Sequence, residues 1–438
     1  MRKIFSVLII LLTFSYTQAQ NDSVKTAIAK NFSKNLTTAQ YSSCLKDFDW
    51  DLAGKVNSTA LENIWKGLQT KCGTYKSSGE PYLVQDSLYD FIYQTLEFEK
   101  AKLDLKLTIN NKNKIAGLFF VPPVSRKGYM LPSYIKKEDV FETPMEVKSG
   151  KYILPAMFTY PKTGSRFPVV ILVHGSGPND KDETIGPNKI FKDLAYGLAS
   201  KGIAVLRYEK RTRQYQTECF AQINDLTIKE EVIDDALAAI QTAKSVVAID
   251  PARIYICGHS LGAMCAPRIA AQSSEVAGII LLAGNARPLE DLVLEQVKYL
   301  SSLKENNADS KKSIDDLQVQ VLNVKSLTKE SDIEPYQLPL SLPKNYWLAL
   351  KAYNQIVTAK SLSCKILIMQ GARDYQVTTT DYNLWQKELK GFPNVQFKLY
   401  DKLNHLFMEG TGKSTPDEYD KEGNVPEYVV SDVAAFCK

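Results

Sequence analysis

Short apolar runs alternate with amphipathic stretches through the second half of the chain. Each run suits a strand that is buried on both faces, and several are followed by apolar residues at helical spacing. The predicted strands are Val169–Val173, Ile203–Arg207, Arg253–Cys257, Gly278–Leu282, Lys365–Gln370 and Val395–Tyr400, and the predicted helices are Lys189–Ser200, Leu226–Ser245 and Pro426–Phe436. This alternation predicts an α/β fold with a mostly parallel, wound sheet.

Two hairpins are predicted before this region. The first joins Ala101–Ile109 to Ile115–Val121 through an asparagine-rich turn. The second joins Met145–Lys148 to Tyr152–Tyr160 through a Ser-Gly turn. Turn residues between strand-like segments are typical of hairpins. We expect the second hairpin to form the first two, antiparallel strands of the larger sheet.

The length of 438 residues favours two domains over one. The predicted division is a leader at 1–19, a smaller α+β domain at 20–124 with helices around 24–36 and 60–68, a polar connection at 125–144, and the α/β domain at 145–438 with an insertion at about 285–361. We expect the mostly helical insertion to cap the site, the alternative being that it packs elsewhere. Tyr336, Tyr346 and Trp347 are candidates to line a substrate pocket, although such aromatic residues are more often core.

The first residues have the layout of a secretory signal peptide. Arg2 and Lys3 precede an apolar stretch at 4–14, and Thr17 and Ala19 fit a small-residue cleavage site. This stretch is shorter than the roughly 20 residues that span a bilayer, and nothing later in the chain is long and apolar enough to do so. We therefore predict cleavage near Ala19 and a secreted or periplasmic protein.

Charge and cysteine content limit the expected partners. The formal charge of +5 falls to +3 without the leader, and the basic residues are scattered, which argues against nucleic acid or an anionic membrane. No Cys/His spacing indicates a metal site. Seven cysteines are too few for a disulfide framework at this length. Cys44 and Cys72 are a candidate bridge, and Cys257 and Cys265 are expected to be small core residues.

The candidate chemistry centres on a G-x-S-x-G motif. Gly258, Ser260 and Gly262 lie between a predicted strand and a small-residue helical stretch. This context is typical of a nucleophile elbow, which points the serine hydroxyl away from the sheet while a helix N-terminus faces developing negative charge. The alternative is a glycine-rich turn with a capping serine.

A nucleophilic serine needs a base, and the chain has three histidines. His259 lies inside the elbow, where its ring is expected to project away from the serine. His174 begins a glycine-rich loop after a strand and is expected to be structural. His405, after the last strand, is left as the base, the alternative being an ordinary surface histidine.

The base needs a carboxylate to orient it, and this acid should follow the penultimate strand. Asp374 occupies that place. Asp381 is the nearest rival, but we expect it to begin a helix and to complement its dipole. The resulting order, Ser260, Asp374 and His405, is that of a known serine-hydrolase arrangement.

Backbone N–H groups must stabilise the oxyanion. Leu261 is predicted to supply one, and Ser176 the other, with Gly177 as the alternative. The charged residues 179–183 that follow are expected to form a solvated loop, the alternative being a substrate-facing role. Residues 207–211 end the next strand, where we expect ion pairs and a structural Arg207.

Four segments carry a family resemblance: HGSGPNDKDETIGPNKIFKDLAYGLASKGIAVLRYEKRT (174–212), DPARIYICGHSLGA (250–263), ILIMQGARD (366–374) and LNHLF (403–407). With them the chain resembles the α/β-hydrolase superfamily over roughly 145–438, and more closely its secreted bacterial carboxylesterases. Two positions depart from the pattern: Ala263 stands where a third glycine is common, and Glu209 where aspartate is common. Neither departure touches the candidate triad.

The resemblance implies hydrolysis of small-molecule carboxylic esters through an acyl-enzyme, without metal or organic cofactor. It carries Ser260, Asp374 and His405 over as the triad. The region before residue 145 is similar to the nuclear-transport-factor-2-like cone. A serine peptidase or amidase on the same fold stays an alternative, as does a ligand-binding role of the N-terminal domain. The natural substrate, its acyl length and the oligomeric state stay open.

Overall fold

The computed structural model describes residues 23–85, 90–121, 123, 129–303 and 308–438. The chain divides into two compact units, residues 1–126 and 127–438. The predicted leader lies outside the described residues. Within those ranges, no helix combines the length and the apolar character that a bilayer crossing requires.

The first unit is an antiparallel sheet with helices. Its helices are α1 (residues 23–37), α2 (Tyr41–Cys44), α3 (Trp50–Lys55) and α4 (Ser58–Cys72), and its strands are β1 (Tyr75–Ser78), β2 (Tyr82–Gln85), β3 (Asp90–Phe98), β4 (Lys102–Ile109) and β5 (Ile115–Val121). The strand order is β1-β3-β4-β5, and β2 also pairs with β3. Apolar side chains of the helices and of β3 to β5 form one core, including Phe32, Trp65 and Leu105.

The β4–β5 hairpin and the two helical segments of this unit are confirmed, whereas the bridge between Cys44 and Cys72 was wrong. Both thiols are free. Cys44 is buried, and its sulfur lies 3.7 Å from the carbonyl oxygen of Phe32. Its side chain is therefore used in the core of the unit.

The second unit is built around an eight-stranded sheet. Its strands are β6 (Val140–Ser149), β7 (Tyr152–Pro161), β8 (Phe167–Val173), β11 (Ala204–Tyr208), β12 (Ile249–His259), β13 (Val276–Leu282), β14 (Lys365–Gly371) and β15 (Val395–Tyr400), and a small separate hairpin joins β9 (Thr184–Ile185) to β10 (Asn188–Lys189). The strand order is β15-β14-β13-β12-β8-β11-β7-β6. The six strands from β15 to β11 are parallel, and β7 and β6 continue the sheet antiparallel.

Helices cover this sheet and form its insertion. They are α5 (Ile190–Ser200), α6 (Arg211–Gln214), α7 (Gln216–Ala221), α8 (Asp234–Lys244, preceded by a π-helical turn at Lys229–Ile233), α9 (Leu261–Ala271), α10 (Leu289–Ser302), α11 (Ala308–Ser326), α12 (Lys344–Lys351), α13 (Gln355–Lys360), α14 (Thr379–Leu389) and α15 (Glu427–Cys437). The predicted wound sheet and its helices are thus confirmed, and the insertion after β13 is mostly helical.

Side chains of the central strands alternate between two cores, one on each face of the sheet. In β8, Val169 and Ile171 belong to one core, whereas Val170 and Leu172 belong to the other. Successive side chains of a strand point to opposite faces, so a continuous apolar run is required where helices cover both faces. This burial fixes the central strands and thereby the loops at their carboxyl ends.

Candidate active site

Ser260 stands in a strained turn between β12 and α9. Its φ of 54° and ψ of −114° are unfavourable for a residue with a side chain. A Cβ on Gly258 would lie 2.3 Å from the backbone of Gly262, and one on Gly262 would lie 2.2 Å from the carbonyl oxygen of Val173. Both glycines are therefore required by close backbone packing, and the predicted strand, turn and helix are confirmed.

His405 and Asp374 form a buried hydrogen-bonded pair. Nδ1 of His405 lies 2.7 Å from Oδ2 of Asp374. The other carboxylate oxygen accepts the backbone N–H groups of Gln376 at 2.7 Å and Val377 at 3.0 Å. The side-chain amide of Gln370 donates to Oδ2 at 3.0 Å. These donors fix the carboxylate and therefore the orientation of the imidazole.

Ser260 and His405 line one cavity of about 280 Å³, together with Leu261 and Ser176. Four of the predicted site residues thus meet at one cavity, while Asp374 stands behind His405. The insertion lines the same cavity through Leu289, Leu292, Val293, Gln296 and Leu340. The insertion therefore contributes part of the wall of this cavity, and its role as a cap stays a prediction.

Two backbone N–H groups at this cavity suit an oxyanion. Leu261 is the first residue of α9, so its N–H has no acceptor within the helix. Within the described part of the chain, no hydrogen bond takes the N–H of Ser176. Gly177, the alternative donor, lines a neighbouring pocket and not the cavity of Ser260.

A second histidine–carboxylate pair lies beside the first, and the sequence did not reveal it. The ring of His259 was expected to project away from Ser260, and it lies beside His405, with the two ring centroids 4.7 Å apart. Its Nε2 lies 2.9 Å from the backbone oxygen of His405, and its Nδ1 lies 3.2 Å from Oε1 of Glu183. Glu183 also accepts the N–H of Gly175 at 2.7 Å.

Burial and charge act in opposite directions on this second pair. Burial disfavours charge on both groups, but the attraction between them outweighs it, so that the pKa of Glu183 is lowered and the pKa of His259 is raised. Both shifts favour the charged forms of the two groups. The expectation of a solvated loop at 179–183 was therefore wrong for Glu183, and also for Asp182, which is buried against Arg207.

The remaining predicted residues are placed away from the reacting groups. His174 is buried between Phe191 and Tyr208, and burial lowers its pKa to about 4. Asp381 lies in the first turn of α14, where it accepts the backbone N–H groups of Ala286 and Arg287, each at 2.9 Å. Both residues therefore support the fold near the site.

Arg207 is structural, as predicted. Its guanidinium donates to Asp182 at 2.9 Å, and to Thr159 and Glu142 at 2.6 Å. These partners lie on β6, on β7 and in the loop after β8. The charged residue therefore ties the antiparallel edge of the sheet to the loop that enters the site.

An apolar pocket of about 310 Å³ adjoins the cavity of Ser260. The two spaces share Ser176, Leu289 and Leu340. Of the three aromatic candidates, Tyr346 lines this pocket. The other two candidates do not line it: the side chain of Trp347 is fully buried in the core, which was the stated alternative, and Tyr336 is 70% exposed.

Comparison with known families assigns both units. Residues 166–411 match the profile of a family described as serine aminopeptidase, S33. Residues 29–118 match a family described as a protein of unknown function, DUF3887. The second match is consistent with a separate N-terminal domain, while the similarity of that domain to the nuclear-transport-factor-2 cone stays a prediction.

Similar proteins carry esterase names. The chain is 39% identical to esterase EstD of Thermotoga maritima over 406 residues, which are 92% of this chain and 93% of that protein. Among solved structures, Est1E of Butyrivibrio proteoclasticus is 17% identical with a TM-score of 0.43, covering 67% of this chain and 96% of its own. An esterase of Pyrobaculum calidifontis is 16% identical with a TM-score of 0.44, covering 68% and 85%.

Proposed function

This chain belongs to the serine aminopeptidase S33 family of α/β-hydrolases, and on that premise we propose that it is a secreted serine carboxylesterase acting on short- to medium-chain esters. The observation that carries the proposal is the hydrogen bond between His405 and Asp374 at the cavity that also holds the strained Ser260. The esterase name of a relative that matches nearly the whole chain supports the same activity.

Each group has a role in the proposed reaction. His405, whose Nδ1–H is held by Asp374, accepts the hydroxyl proton of Ser260 at Nε2 while the serine oxygen attacks the ester carbonyl. The N–H groups of Leu261 and Ser176 stabilise the oxyanion. The ester bond then breaks, and His405 returns the proton to the departing alkoxide. Water, deprotonated by His405, releases the acid and restores Ser260.

The two adjoining spaces favour one orientation of the ester. The leaving oxygen must be within reach of His405 to receive its proton, so the alcohol belongs on the side lined by His405, Gln376 and Val377. The apolar pocket is lined by residues of the loop after β8 (174–178, called the oxyanion loop below), but not by His405. The acyl chain therefore belongs in the apolar pocket, where burying each methylene contributes about 0.8 kcal/mol.

The family description makes an aminopeptidase the natural competing activity. A free amino terminus is usually held by carboxylates near the site. Among the described residues that line the cavity of Ser260, Glu183 is the single acidic one, and it faces His259. Its carboxylate is already occupied by the ring of His259 and by the N–H of Gly175, which favours an ester over an amino-terminal peptide as the substrate.

Steady-state hydrolysis of p-nitrophenyl acetate, butyrate and octanoate, beside aminoacyl p-nitroanilides, tests this proposal. We expect turnover of the esters, loss of that turnover in Ser260→Ala, and full activity in Ser361→Ala, which alters an exposed serine outside the site. Preferential cleavage of the anilides would reject the esterase activity in favour of an aminopeptidase activity. Equal rates of ester hydrolysis by the protein and by Ser260→Ala would rule out Ser260 as the nucleophile.

Secretion is the second part of the proposal, and the leader predicted at 1–19 supports it. Expression of the full chain in a bacterial host followed by amino-terminal sequencing of the exported protein measures the cleavage site. The expected first residue is Gln20. An uncleaved protein that stays in the cytoplasm would contradict this assignment without affecting the esterase.

A further inference from the structure

Lys210 is a buried cation that makes direct contact with the oxyanion loop. Its side chain is 2% exposed. The ammonium group donates to the carbonyl oxygen of Gly175 at 2.8 Å and to Oε1 of Glu231 at 2.5 Å. Lys210 follows β11, so a residue fixed at the end of one strand holds the loop that follows the neighbouring strand.

The carbonyl group that Lys210 holds belongs to the same peptide as the N–H of Ser176. This peptide is trans, so its C=O and its N–H point in opposite directions. A donor fixed on the carbonyl oxygen of Gly175 therefore sets the direction of the Ser176 N–H. Ser176 lines the cavity of Ser260, where an oxyanion donor is needed.

The preceding peptide is fixed as well. Glu183 accepts the N–H of Gly175, and Asn179 adds a second donor to the carbonyl oxygen of Gly175 at 3.2 Å. Both peptide planes of Gly175 are thus held by side chains. Only Lys210 among these partners brings a positive charge to the carbonyl oxygen, and such a charge polarises the peptide and strengthens its N–H as a donor.

We propose that Lys210 is a positioning residue of the oxyanion hole, which acts through the Gly175–Ser176 peptide to aim and strengthen the N–H of Ser176. The inference rests on the proposed function, because it assigns the Ser176 N–H to the oxyanion of an acyl-transfer reaction. Lys210 itself does not touch the substrate.

The same contacts connect the oxyanion loop to the insertion. Glu231 accepts the phenol hydroxyl of Tyr346 at 2.7 Å, and Tyr346 lies on α12 of the insertion. Glu231 and Tyr346 both line the apolar pocket assigned to the acyl chain. A chain of contacts therefore runs from that pocket through Glu231 to Lys210 and to the oxyanion loop.

A neighbouring ion pair provides a matched control. Arg211 and Asp235 are buried to a similar degree, and Nε of Arg211 donates to Oδ2 of Asp235 at 2.9 Å. Like Lys210 and Glu231, they join the segment after β11 to the helical segment at 229–244. The described contacts of the Arg211 guanidinium are to Asp235, to Ser149 and to the ring of Tyr152, and none of them reaches the oxyanion loop.

The test compares Lys210→Met/Glu231→Gln with Arg211→Met/Asp235→Asn. Each double variant removes both charges of one pair, so that neither leaves an uncompensated buried charge. We expect the first variant to lower kcat for p-nitrophenyl butyrate by roughly 10- to 100-fold with little change in KM. It should weaken inhibition by phenylboronic acid, whose tetrahedral adduct places an oxygen in the oxyanion hole, by a similar factor.

The control variant should keep kcat and boronate inhibition within about threefold of the parent protein, and both variants should show a cooperative thermal transition. Equal losses of kcat in the two variants, or unchanged boronate inhibition in the first, would overturn the role of Lys210. Parent hydrolysis that Ser260→Ala abolishes, with no effect of the Lys210 variant, would reject this inference alone. Parent hydrolysis that persists in Ser260→Ala would reject the proposed function instead.

Discussion

Two histidine–carboxylate pairs lie side by side in this protein, and they differ in whether Nε2 of the histidine is already hydrogen-bonded. In the His405 pair (His405 and Asp374), Nδ1 meets the carboxylate, and no hydrogen bond within the described residues takes Nε2. In the His259 pair (His259 and Glu183), Nδ1 faces the carboxylate and Nε2 is bound to the backbone oxygen of His405.

This difference shows that a buried histidine beside a carboxylate is not by itself a base. Nδ1 of His259 faces Glu183 and Nε2 is bound to the backbone oxygen of His405, and although burial lowers the pKa of His259, the charge of Glu183 raises it overall. His259 instead holds the loop of His405, while Glu183 holds Gly175 of the oxyanion loop. The His405 pair is thus placed for proton transfer, and the His259 pair is placed to position the loops around it.

Matched substitution of the two histidines gives the largest expected contrast. We expect His405→Gln to lower kcat/KM for p-nitrophenyl butyrate by roughly 10⁴-fold or more, since the base is lost. His259→Gln should lower it by less than about 10²-fold, as expected for a misplaced loop, because its amide can still donate to the backbone oxygen of His405. A larger loss of kcat/KM in His259→Gln than in His405→Gln would contradict the assignment of His405 as the base and of His259 as a positioning residue.

Asp374→Asn should lower kcat by about 10⁴-fold without unfolding the protein. One side-chain oxygen must still accept the N–H groups of Gln376 and Val377, so the new NH₂ group would face His405 and Gln370. His405 would then carry its proton on Nε2 and could not act as the base. Kinetics with far-ultraviolet circular dichroism measure this effect, and a folded variant of nearly full activity would contradict it.

The corresponding change in the other pair, Glu183→Gln, should affect stability more than chemistry. It leaves buried His259 without its carboxylate partner. Because the imidazole can then lose its proton, the cost is about 1–3 kcal/mol of unfolding free energy, as for a buried polar group without its partner, while kcat falls by less than about 10²-fold. Urea denaturation measures the stability change. Glu183→Gln/His259→Gln should be less destabilised than the single variant, and a still larger loss in the double variant would argue against an ion pair.

The His259 pair should also give stability a pH dependence. The raised pKa of His259 contributes stability that is present below the ordinary histidine pKa of 6.5 and is lost as pH rises through the raised pKa. The lowered pKa of Glu183 contributes stability that is present above 4.5 and is lost as pH falls through the lowered pKa.

The difference in Tm between the protein and Glu183→Gln/His259→Gln should therefore be largest between about pH 4.5 and 6.5 and should narrow on the alkaline side. Thermal unfolding followed from pH 4 to 9 measures this difference. A difference that grows steadily toward alkaline pH would have the wrong sign for the raised pKa of His259.

The candidate triad could be predicted from the sequence because each of its members follows a strand of the parallel sheet. Strands buried on both faces are readable as apolar runs, and their carboxyl ends share one edge. The order of Ser260, Asp374 and His405 then fixed their roles. The two glycines of the motif indicated a sharp turn at Ser260. Close backbone packing at Gly258 and Gly262 explains why both glycines are required.

The supporting polar contacts could not be predicted, because they join residues distant in the chain. Lys210 and Gly175 are 35 positions apart, and His259 and His405 are 146 apart. The loop at 179–183 was predicted to be solvated because its own sequence is rich in charged residues. In the structure, Asp182 pairs with Arg207, which is 25 positions away in the chain. Local composition does not report such partners.

The first unit shows the same limit. The β4–β5 hairpin was readable from its local turn and its apolar alternation. The strands β1, β2 and β3 were not predicted. β1 and β2 are short and only partly buried, and β1 pairs with β3 across a longer connection, whereas β3 is long and its side chains alternate between buried and half-buried. Weak burial thus accounts for the missed strands β1 and β2, but not for β3.

Covalent labelling with diisopropyl fluorophosphate, followed by peptide mass spectrometry, tests the central claim most directly. We predict a single phosphoryl adduct on the peptide that contains Ser260, formed in proportion to the loss of ester hydrolysis, and no adduct in Ser260→Ala. Inactivation accompanied by an adduct elsewhere, or an unlabelled Ser260 in an inactivated protein, would contradict the account.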